Sequence, residues 1–188
     1  SSLVFLSSNL MNTDFTIDWW EYCLGGNSAR IFTGYYPETS DFAGILISWS
    51  DGNCYFSASK NTWDIFSGVP AIDTLTGQWV HRAIVKYGNT WTSYKNGIKF
   101  WEGISDKSPY FETGLLSAIG QYLDSDSSKY YGYINEFRIS DVARWTSNFT
   151  PPTEPYVIES ESPIDPYTWY ESDAPTPVQM TQYIANVE

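Results

Sequence analysis

Short apolar runs that alternate with polar residues dominate the first part of the chain, and this period of two is typical of β-strands. The runs are rich in Val, Ile, Thr and aromatic residues, and clusters of Gly, Asn, Asp and Ser separate them. Helical periodicity is almost absent from residues 1–150. The pattern predicts an all-β fold, with strands that include residues 14–22, 29–32, 44–49 and 53–57.

The clearest predicted unit is a meander of three strands joined by two tight turns, over residues 78–87, 90–95 and 98–101. Its turns are Gly88-Asn89 and Asn96-Gly97, the residue types that adopt the positive φ of two-residue hairpins. Asp51-Gly52 predicts a further hairpin of the same kind. Parallel strands need crossover helices, which the pattern does not provide, so we expect an antiparallel sandwich of two sheets.

Alternation along the strand near residue 80 divides its side chains between two faces. We expect one face to be buried in the core and the other to be more polar. The same rule means that one of Trp19 and Trp20 points outward. The expected core face carries Trp79, His81, Ala83 and Val85, and Phe15, Trp19 and Trp145 are further aromatic residues expected to pack inside.

The last predicted strand, at residues 130–140, contains a conflict between its apolar residues. Ile134, Phe137 and Ile139 do not share one parity, so a regular strand cannot bury all three. A β-bulge adds one residue to a strand and restores the common face. We therefore predict a bulge at Asn135-Glu136.

The composition of the chain changes near residue 150. All glycines lie at or before Gly132, and neither Lys nor Arg follows Arg144. We therefore predict a domain at 1–153, an extended acidic Pro-rich linker at 154–175 and the start of a short helix at 176–188. Thr176 and Gln179 supply a capping box for that helix, followed by Met180, Ile184 and Val187 at helical spacing.

Composition narrows the class of protein further. The 188 residues carry a formal charge of −12, and 18% of them are aromatic, which is too apolar for a disordered chain. The acidic balance disfavours binding to nucleic acid and to anionic lipid, and apolar runs stay below the ~20 residues that cross a bilayer.

Cys23 and Cys54 are either two thiols or a single bridge. The start at Ser1 lacks the features of a signal peptide, so we expect part of a longer polypeptide.

Several motifs, taken together in this order, resemble one fold family. They are FTIDWW at 15–20, GQWVHRAIV at 77–85, SYKNG at 93–97 and GYINEFRIS at 132–140. Over roughly residues 1–156 the chain resembles the laminin-G-like branch of the concanavalin A-like lectin/glucanase fold. The ending VARWTSNFTPP at 142–152 looks like the version common in phage and prophage tail proteins.

The resemblance implies an antiparallel jelly-roll sandwich of two curved sheets. Members of this family bind glycans or protein ligands through rim loops or a concave face. Some members hold one Ca²⁺ at the rim, and others hydrolyse β-glucans. These three properties define the candidate chemistry of the chain.

The residues that glycoside hydrolysis needs are not arranged as in the glucanases that the chain resembles. Hydrolysis usually needs two facing carboxylates, which the resemblance places in an acid-x-acid-x-acid series on one strand. This sequence has no such series, and Glu136 lacks an acidic partner two residues away. Arg138 is typical of an ion pair or a rim residue, and His81 of a packed strand residue. We expect no enzyme activity.

Metal binding is limited to one candidate ion. Ca²⁺ prefers oxygen ligands from loops, whereas one His and two distant Cys argue against zinc. The alternative is that these residues only form turns, which favour Asp, Asn and Ser. We expect no cofactor beyond a single Ca²⁺, whose candidate ligands are Asp51, Asn53, Asp124 and Asp126.

Sugar binding has many candidate residues, because aromatic rings stack on the apolar faces of pyranoses. We expect most aromatic residues to be structural, with two or three exposed in one patch. Tyr110 and Tyr131 lie in or beside predicted loops. So do the rings that we predict to bind ligand, namely Tyr35, Tyr36, Trp63, Trp91, Trp101, Tyr122 and Tyr130.

These observations lead to one functional hypothesis and two alternatives. The hypothesis is a non-catalytic binding module of a phage or prophage virion that recognises cell-surface glycan and is located at the virion surface. The first alternative is a structural decoration domain that binds no sugar, and the second is a β-glucan hydrolase. The expected partners are a glycan and, through the C-terminal tail, other virion subunits in a homo-oligomeric assembly.

Overall fold

A computed structural model describes most of the predicted domain. The chain divides into two compact units, Ser1–Pro151 and Pro152–Glu188, and the fold below is that of the first. The predicted linker and terminal helix fall almost entirely outside the described residues. Those residues are 2–5, 13–25, 29–35, 44–50, 53–59, 63–73, 77–109, 116–121, 129–154 and 156.

Strands account for most of this part of the chain, and it contains no helix. Each strand has the alternating, β-branched or aromatic composition that favours a pleated surface. The strands are β1 (Ser2–Phe5), β2 (Phe15–Cys23), β3 (Ala29–Tyr35), β4 (Gly44–Ser50), β5 (Asn53–Ser59), β6 (Phe66–Asp73), β7 (Trp79–Tyr87), β8 (Thr90–Lys95), β9 (Ile98–Ile104), β10 (Leu116–Ile119) and β11 (Gly132–Ser140).

The strands form two antiparallel sheets. One sheet has six strands in the order β1-β10-β3-β4-β5-β6, and the other has five in the order β11-β2-β7-β8-β9. Strands from the two ends of the domain pair with each other: β1 lies beside β10, and β2 lies beside β11. This arrangement confirms the predicted all-β, two-sheet sandwich of the jelly-roll class.

The predicted meander is confirmed by β7, β8 and β9. Gly88 has a φ of 56° in the first turn, and Asn96 and Gly97 have φ values of 48° and 77° in the second. These left-handed conformations match the twist of two-residue hairpins. In the other sheet Ser50 pairs with Asn53, as a two-residue turn between β4 and β5 requires.

The predicted bulge in β11 is also confirmed. The register between β11 and β2 shifts between Asn135 and Arg138, and Glu136 has a φ of 51°. Because of this shift, Ile134, Phe137 and Ile139 all pack against the core between the sheets.

The main core lies between the two sheets. Phe15, Ile17 and Trp19 of β2 are fully buried there, together with Trp91 of β8. Phe56 comes from the opposite sheet, and its ring centroid lies 5.6 Å from that of Trp91. The core positions predicted for Phe15 and Trp19 are therefore confirmed.

The predicted core face of β7 does not face the main core, and Trp79 is exposed, but His81, Ala83 and Val85 are buried as predicted. Ile84, on the opposite face, belongs to the main core, and Arg82 is buried with its Nε 2.9 Å from Glu21 Oε1. Glu21 also accepts a hydrogen bond from Trp19 Nε1 at 3.1 Å. Alternation alone favoured the face without basic residues, but Glu21 neutralises Arg82 inside the sandwich. The outer face of the five-stranded sheet therefore carries Trp79, His81, Ala83 and Val85.

A C-terminal segment covers part of that outer face. We call residues 142–151 the strap. Ala83, Val85 and Tyr94 form a second buried cluster beneath it, and the strap residues packed against this cluster are Ala143, Trp145 and Phe149. The outer face of β7 is thus buried by residues that follow the last strand.

Backbone and side-chain hydrogen bonds fix the strap to the sheet. Thr16 Oγ1 donates to Val142 O at 2.8 Å and accepts from Arg144 N at 2.9 Å. Farther along, Phe149 N donates to Gly97 O at 2.9 Å. The rings of Trp145 and Phe149 stack with centroids 3.9 Å apart, so the strap is ordered by its own packing as well.

Of the two predicted alternatives for Cys23 and Cys54, two thiols or a single bridge, the structure excludes the bridge. Cys23 is a free, buried thiol, and Gly25 N lies 3.4 Å from its sulfur. It ends β2 in one sheet, whereas Cys54 belongs to β5 in the other. The two cysteines are therefore not bridged.

Candidate functional site

The outer face of the five-stranded sheet is exposed where the strap does not cover it. Tyr133 of β11 pairs directly with Tyr22 of β2, which in turn pairs with Trp79 of β7. Directly opposed residues of neighbouring strands point to the same side of a sheet. These three rings, which we call the aromatic patch, therefore lie in one row across the sheet.

The rings of the patch are close together and open to solvent. Tyr133 is 60% exposed and Trp79 is 47% exposed, while Tyr22 between them is half-buried. The centroid of Tyr22 lies 5.7 Å from that of Trp79 and 6.1 Å from that of Tyr133, both at steep interplanar angles. Trp79 and Tyr133 lie 6.5 Å apart with planes inclined by only 36°. Their strands are about 10 Å apart, so the two rings lean together over Tyr22.

The next row of the same face contains a different combination of groups. Asn135 pairs with Trp20, and Trp20 pairs with His81. Asn135 is exposed, Trp20 is half-buried, and His81 is fully buried with its ring 5.3 Å from Trp20. His81 also contacts Trp145 and Phe149 edge-on, so this row joins the aromatic patch to the strap.

A buried carboxylate beneath the strap is paired with a guanidinium and lies close to a histidine ring. Asp18 is fully buried and accepts hydrogen bonds from Arg138 Nε at 3.0 Å and Arg138 Nη2 at 2.9 Å. His81 Nε2 lies 3.5 Å from Asp18 Oδ2. The guanidinium carbon of Arg138 lies 5.9 Å from the Trp145 ring centroid. The predicted ion pair of Arg138 and the packed position of His81 are both confirmed.

Two groups near the strap have pKa values displaced from their ordinary ones. Burial raises the pKa of Tyr94, whose hydroxyl donates to Trp145 O at 3.4 Å. A hydrogen bond to Glu102 raises the pKa of Lys99 on the exposed edge strand β9. Tyr94 is therefore protonated at neutral pH and available as a donor to the strap.

The predicted ligand residues Trp91 and Trp101 lie inside the sandwich. Trp91 is fully buried, and its ring packs against Phe66 with centroids 5.5 Å apart. Phe66 also contacts half-buried Trp101 at 5.1 Å. The ring of Trp91 cannot stack on a sugar in this position. The prediction placed it beside a loop, but it occupies the inward position of β8.

The other predicted ligand aromatics lie away from the patch or outside the described residues. Trp63 is half-buried with a φ of 48°, and Tyr130 is half-buried against the core. The backbone of Tyr35 ends β3, and Tyr36 and Tyr122 fall outside the described residues. Of these residues, those whose side chains are described are not brought together at an open surface. Tyr131, just before β11, is 61% exposed.

Sequence reasoning missed Tyr22, Trp79 and Tyr133. Trp79 was assigned to the core, and the other two were not proposed as ligand residues. The alternation of β2 could have identified this outer face, because Thr16 and Asp18 share it with Tyr22. Buried polar residues on that face indicate a covering segment with hydrogen-bond partners rather than the main core.

The predicted metal ligands are largely outside the described residues. Asn53 begins β5, whereas Asp51, Asp124 and Asp126 are not described. In the described ranges, no three His, Cys, Asp or Glu residues are grouped as a metal site. The Ca²⁺ site therefore stays a prediction. The same ranges contain no helix long and apolar enough to cross a membrane.

Several acids of the five-stranded sheet are occupied by ion pairs. Asp18 pairs with Arg138, Glu21 with Arg82, and exposed Glu102 with Lys99 at 2.7 Å. A hydrolytic pair needs two carboxylates free to act as acid and base or nucleophile. Paired in this way, these acids are structural groups.

Comparison with known families identifies the fold. Residues 1–148 match the family described as the concanavalin A-like lectin/glucanases superfamily. The chain belongs to the concanavalin A-like lectin/glucanase superfamily. The match spans the described strands of both sheets, and it includes the aromatic patch. No curated protein matches this superfamily member.

Several solved structures share the fold at low identity. A heptameric SAP-like pentraxin from Limulus polyphemus has 21% identity and a TM-score of 0.53, with 75% of this chain and 70% of that chain covered. Domain 4 of an extracellular arabinanase from Geobacillus stearothermophilus, solved with arabinotriose, has 21% identity and a TM-score of 0.53. That match covers 73% of this chain and 63% of the arabinanase domain.

A third structure is a botulinum neurotoxin type C, whose cell entry depends on interaction with two ganglioside molecules. Its identity is 14% and its TM-score 0.55, with 75% of this chain and 36% of the toxin chain covered. At such identities the similarity shows the concanavalin A-like fold alone.

Proposed function

We propose that this chain is a non-catalytic glycan-binding module that uses the aromatic patch as its binding surface. The observation that carries the proposal is the open row of Tyr133, Tyr22 and Trp79 on the outer face of the five-stranded sheet. Exposing large apolar side chains to water costs free energy, and a ligand that covers them recovers part of that cost. Their solvent exposure therefore favours a role in binding.

The chemistry of the patch suits a sugar. A pyranose presents C–H groups on one face, and these pack against aromatic rings while hydroxyl groups at its edge remain hydrogen-bonded. Tyr22 and Tyr133 add phenolic hydroxyls that can donate or accept. Relatives of this fold that were solved with arabinotriose or that interact with gangliosides support the same class of ligand.

A titration with soluble glycans tests the proposal. We expect Trp79→Ala to weaken binding by at least about fivefold, because loss of one stacked ring removes about 1 kcal/mol or more. Tyr87→Ala is the matched control, since Tyr87 is 59% exposed at the other end of β7. Isothermal titration calorimetry over a glycan library measures both variants. Binding that survives Trp79→Ala unchanged would place the glycan elsewhere and exclude the patch.

We further propose that the module is displayed on a phage or prophage virion and attaches it to a bacterial surface. The proposal rests on the ending at residues 142–152, which resembles that of phage tail proteins. Weak single sites gain avidity when several copies act together. Fluorescently labelled protein, clustered on a multivalent support, should label susceptible bacteria. The Trp79→Ala variant should not label them, and equal labelling by both would contradict this role.

A structural role between subunits is the second candidate, and the edge strand β9 favours it. Ile98 is 58% exposed, Phe100 43% and Ile104 78%, which is unusual for an edge that must avoid association. If β9 contacts a neighbouring subunit, Ile104→Lys will lower the association constant measured by sedimentation equilibrium. A chain that stays monomeric at all concentrations and still binds glycan would exclude this candidate.

Hydrolysis of β-glucan is the remaining alternative, and nothing in the ion-paired acids favours it. Glu136 is the acid to test, because it lies at the bulge of β11. We expect no release of reducing sugar from β-glucan by the wild-type chain or by Glu136→Gln. Release by the wild type that disappears in the variant would establish an enzyme.

A further inference from the structure

We propose that Asn135 and the aromatic patch form one subsite for a single uncharged glycosyl residue, in which Asn135 determines specificity. This inference rests on the proposed function, because it names the class of sugar and the polar contact at the same site. It follows from the size of the patch, the position of Asn135 and the charges around both.

The patch is large enough for one sugar ring, and the strap closes it on one side. Trp79 and Tyr133 converge to 6.5 Å between centroids, so the row forms one compact platform. Along the strands toward the strap, the His81 ring contacts Trp145 and Phe149 at 5.8 and 5.7 Å. A glycan chain running along β7 would meet the strap. The geometry therefore favours a single residue, such as the end of a glycan.

Asn135 is placed to bind the hydroxyl edge of a sugar on the platform. It lies two residues from Tyr133 on β11, and its partner Trp20 lies two residues from Tyr22 on β2. Two residues of a strand span about 6.6 Å. Because Asn135 and Tyr133 share the outer face, the exposed amide borders the platform. An amide offers both donors and an acceptor, which matches a pair of adjacent hydroxyls.

The β-bulge holds Asn135 in this position. The register shift begins at Asn135, and Glu136 has a φ of 51°, a left-handed conformation that is unusual for a residue with a side chain. Bulges commonly redirect side chains beside functional sites. The burial of Ile134 and Phe137 on either side fixes the bulge, so the direction of Asn135 is set by the core.

The charges of this face favour an uncharged ligand. At the outward positions of β11, β2 and β7 that form or border the patch, the residues are Tyr133, Asn135, Trp20, Tyr22, Trp79 and His81. The nearest guanidinium on the face, that of Arg138, is engaged by both oxygens of Asp18. The chain as a whole carries −12. A carboxylated sugar would meet net repulsion and no free cation among these positions.

Saturation-transfer NMR and calorimetry with methyl glycosides test the subsite. The probes are the methyl β-glycosides of glucose and galactose, methyl α-mannoside, methyl β-glucuronide, and the trisaccharides that contain each neutral sugar. We expect at least one neutral monosaccharide to bind. The trisaccharide that contains it should bind no more than about threefold tighter than that monosaccharide. The glucuronide should bind at least about tenfold more weakly than that monosaccharide. Asn135→Ala should weaken the best neutral ligand about tenfold.

Asn89→Ala is the matched control, since Asn89 is an exposed Asn in the turn between β7 and β8. Thermal unfolding of each variant shows that the fold is kept. If Trp79→Ala abolishes binding and Asn135→Ala leaves it unchanged, the subsite is wrong and the proposed function stands. A trisaccharide bound tenfold tighter, or a preferred glucuronide, also overturns the subsite. If no glycan binds, the proposed function itself fails.

Discussion

The Asp18 carboxylate is a buried charge on the outer face of the five-stranded sheet. It is fully buried, and it has the bidentate bond from Arg138 and the nearby His81 nitrogen to compensate its desolvation. A buried charge that loses its partner costs several kcal/mol. The same guanidinium lies against Trp145, so the pair connects β2, β11 and the strap.

We expect Arg138→Ala to lower the free energy of unfolding by about 3 kcal/mol, because it removes the guanidinium partner of the buried Asp18 carboxylate. Urea unfolding followed by tryptophan fluorescence measures the change. Lys99→Ala is the control, since Lys99 and Glu102 form an exposed pair and their loss should leave the midpoint of unfolding unchanged.

Two outcomes would contradict this role of Arg138. If Arg138→Ala and Lys99→Ala unfold at the same urea concentration, the Asp18 pair contributes no more than a surface pair. If Asp18→Asn restores none of the stability lost in Arg138→Ala, then the cost does not come from the unpaired carboxylate.

The burial of a single side chain was predictable from the sequence only where the alternation of its own strand determines it. Phe15 and Trp19 are in the core as expected, because their strand alternates in a regular way. Trp79 begins a strand of similar composition and alternation, yet its side chain is exposed. Its position depends on where the strap ends, and no pattern near residue 79 contains that information.

The strap comes into close contact with the turn between β8 and β9. Gly97 has a φ of 77°, and its carbonyl accepts the hydrogen bond from Phe149 N. A methyl group at Gly97 would overlap the carbonyl oxygen of Phe149. This glycine therefore serves both the turn and the close approach of the strap.

We expect Gly97→Ala to destabilise the chain by at least about 2 kcal/mol more than Gly88→Ala. Both glycines have positive φ in two-residue turns, so each substitution carries about 1–2 kcal/mol of backbone strain. A methyl group at Gly88 contacts nothing, whereas at Gly97 it displaces the strap. Chemical denaturation of the two variants measures the difference. Equal destabilisation would show that the contact between the strap and the turn contributes nothing.

Elements were predictable from the sequence when their determinants are close together along the chain. The turns at 88–89 and 96–97 follow from residue type, and the bulge at Asn135-Glu136 follows from the parity of three neighbouring apolar residues. The outer face of β7 is buried by a second layer that was not predictable in this way. That face is covered by residues 143–149, which lie outside the strand pattern and follow the last strand.

At the scale of the whole molecule, the strap completes the domain before the acidic tail begins. We expect a chain that ends at Tyr156 to unfold within about 2 °C of the full chain, whereas one that ends at Asp141 should lose its cooperative transition. The second truncation exposes Ala83, Val85 and Tyr94, which the strap buries. Differential scanning calorimetry compares the three chains. A large loss of stability on removal of residues 157–188 would contradict this division.

The whole fold was predictable because many weak signals agree with one sandwich, whereas the site required the packed structure. The family resemblance and the strand pattern both predicted two antiparallel sheets, and the structure has them. The aromatic patch brings together residues 22, 79 and 133, whose proximity is set by the pairing of β2 with both β7 and β11. Candidate residues chosen by their loop position did not reveal that pairing.

The pairing of β2 also determines the order in which this protein can be built. Cys23 of β2 pairs with Gly132 and Tyr22 pairs with Trp79, so each neighbour of β2 is distant in sequence. During translation β2 has no sheet neighbour until β7, which ends at Tyr87, has emerged, and it lacks β11 until Ser140 has emerged. Until then Phe15, Ile17 and Trp19 lie on a strand whose sheet is incomplete, and chaperones can bind such exposed apolar segments.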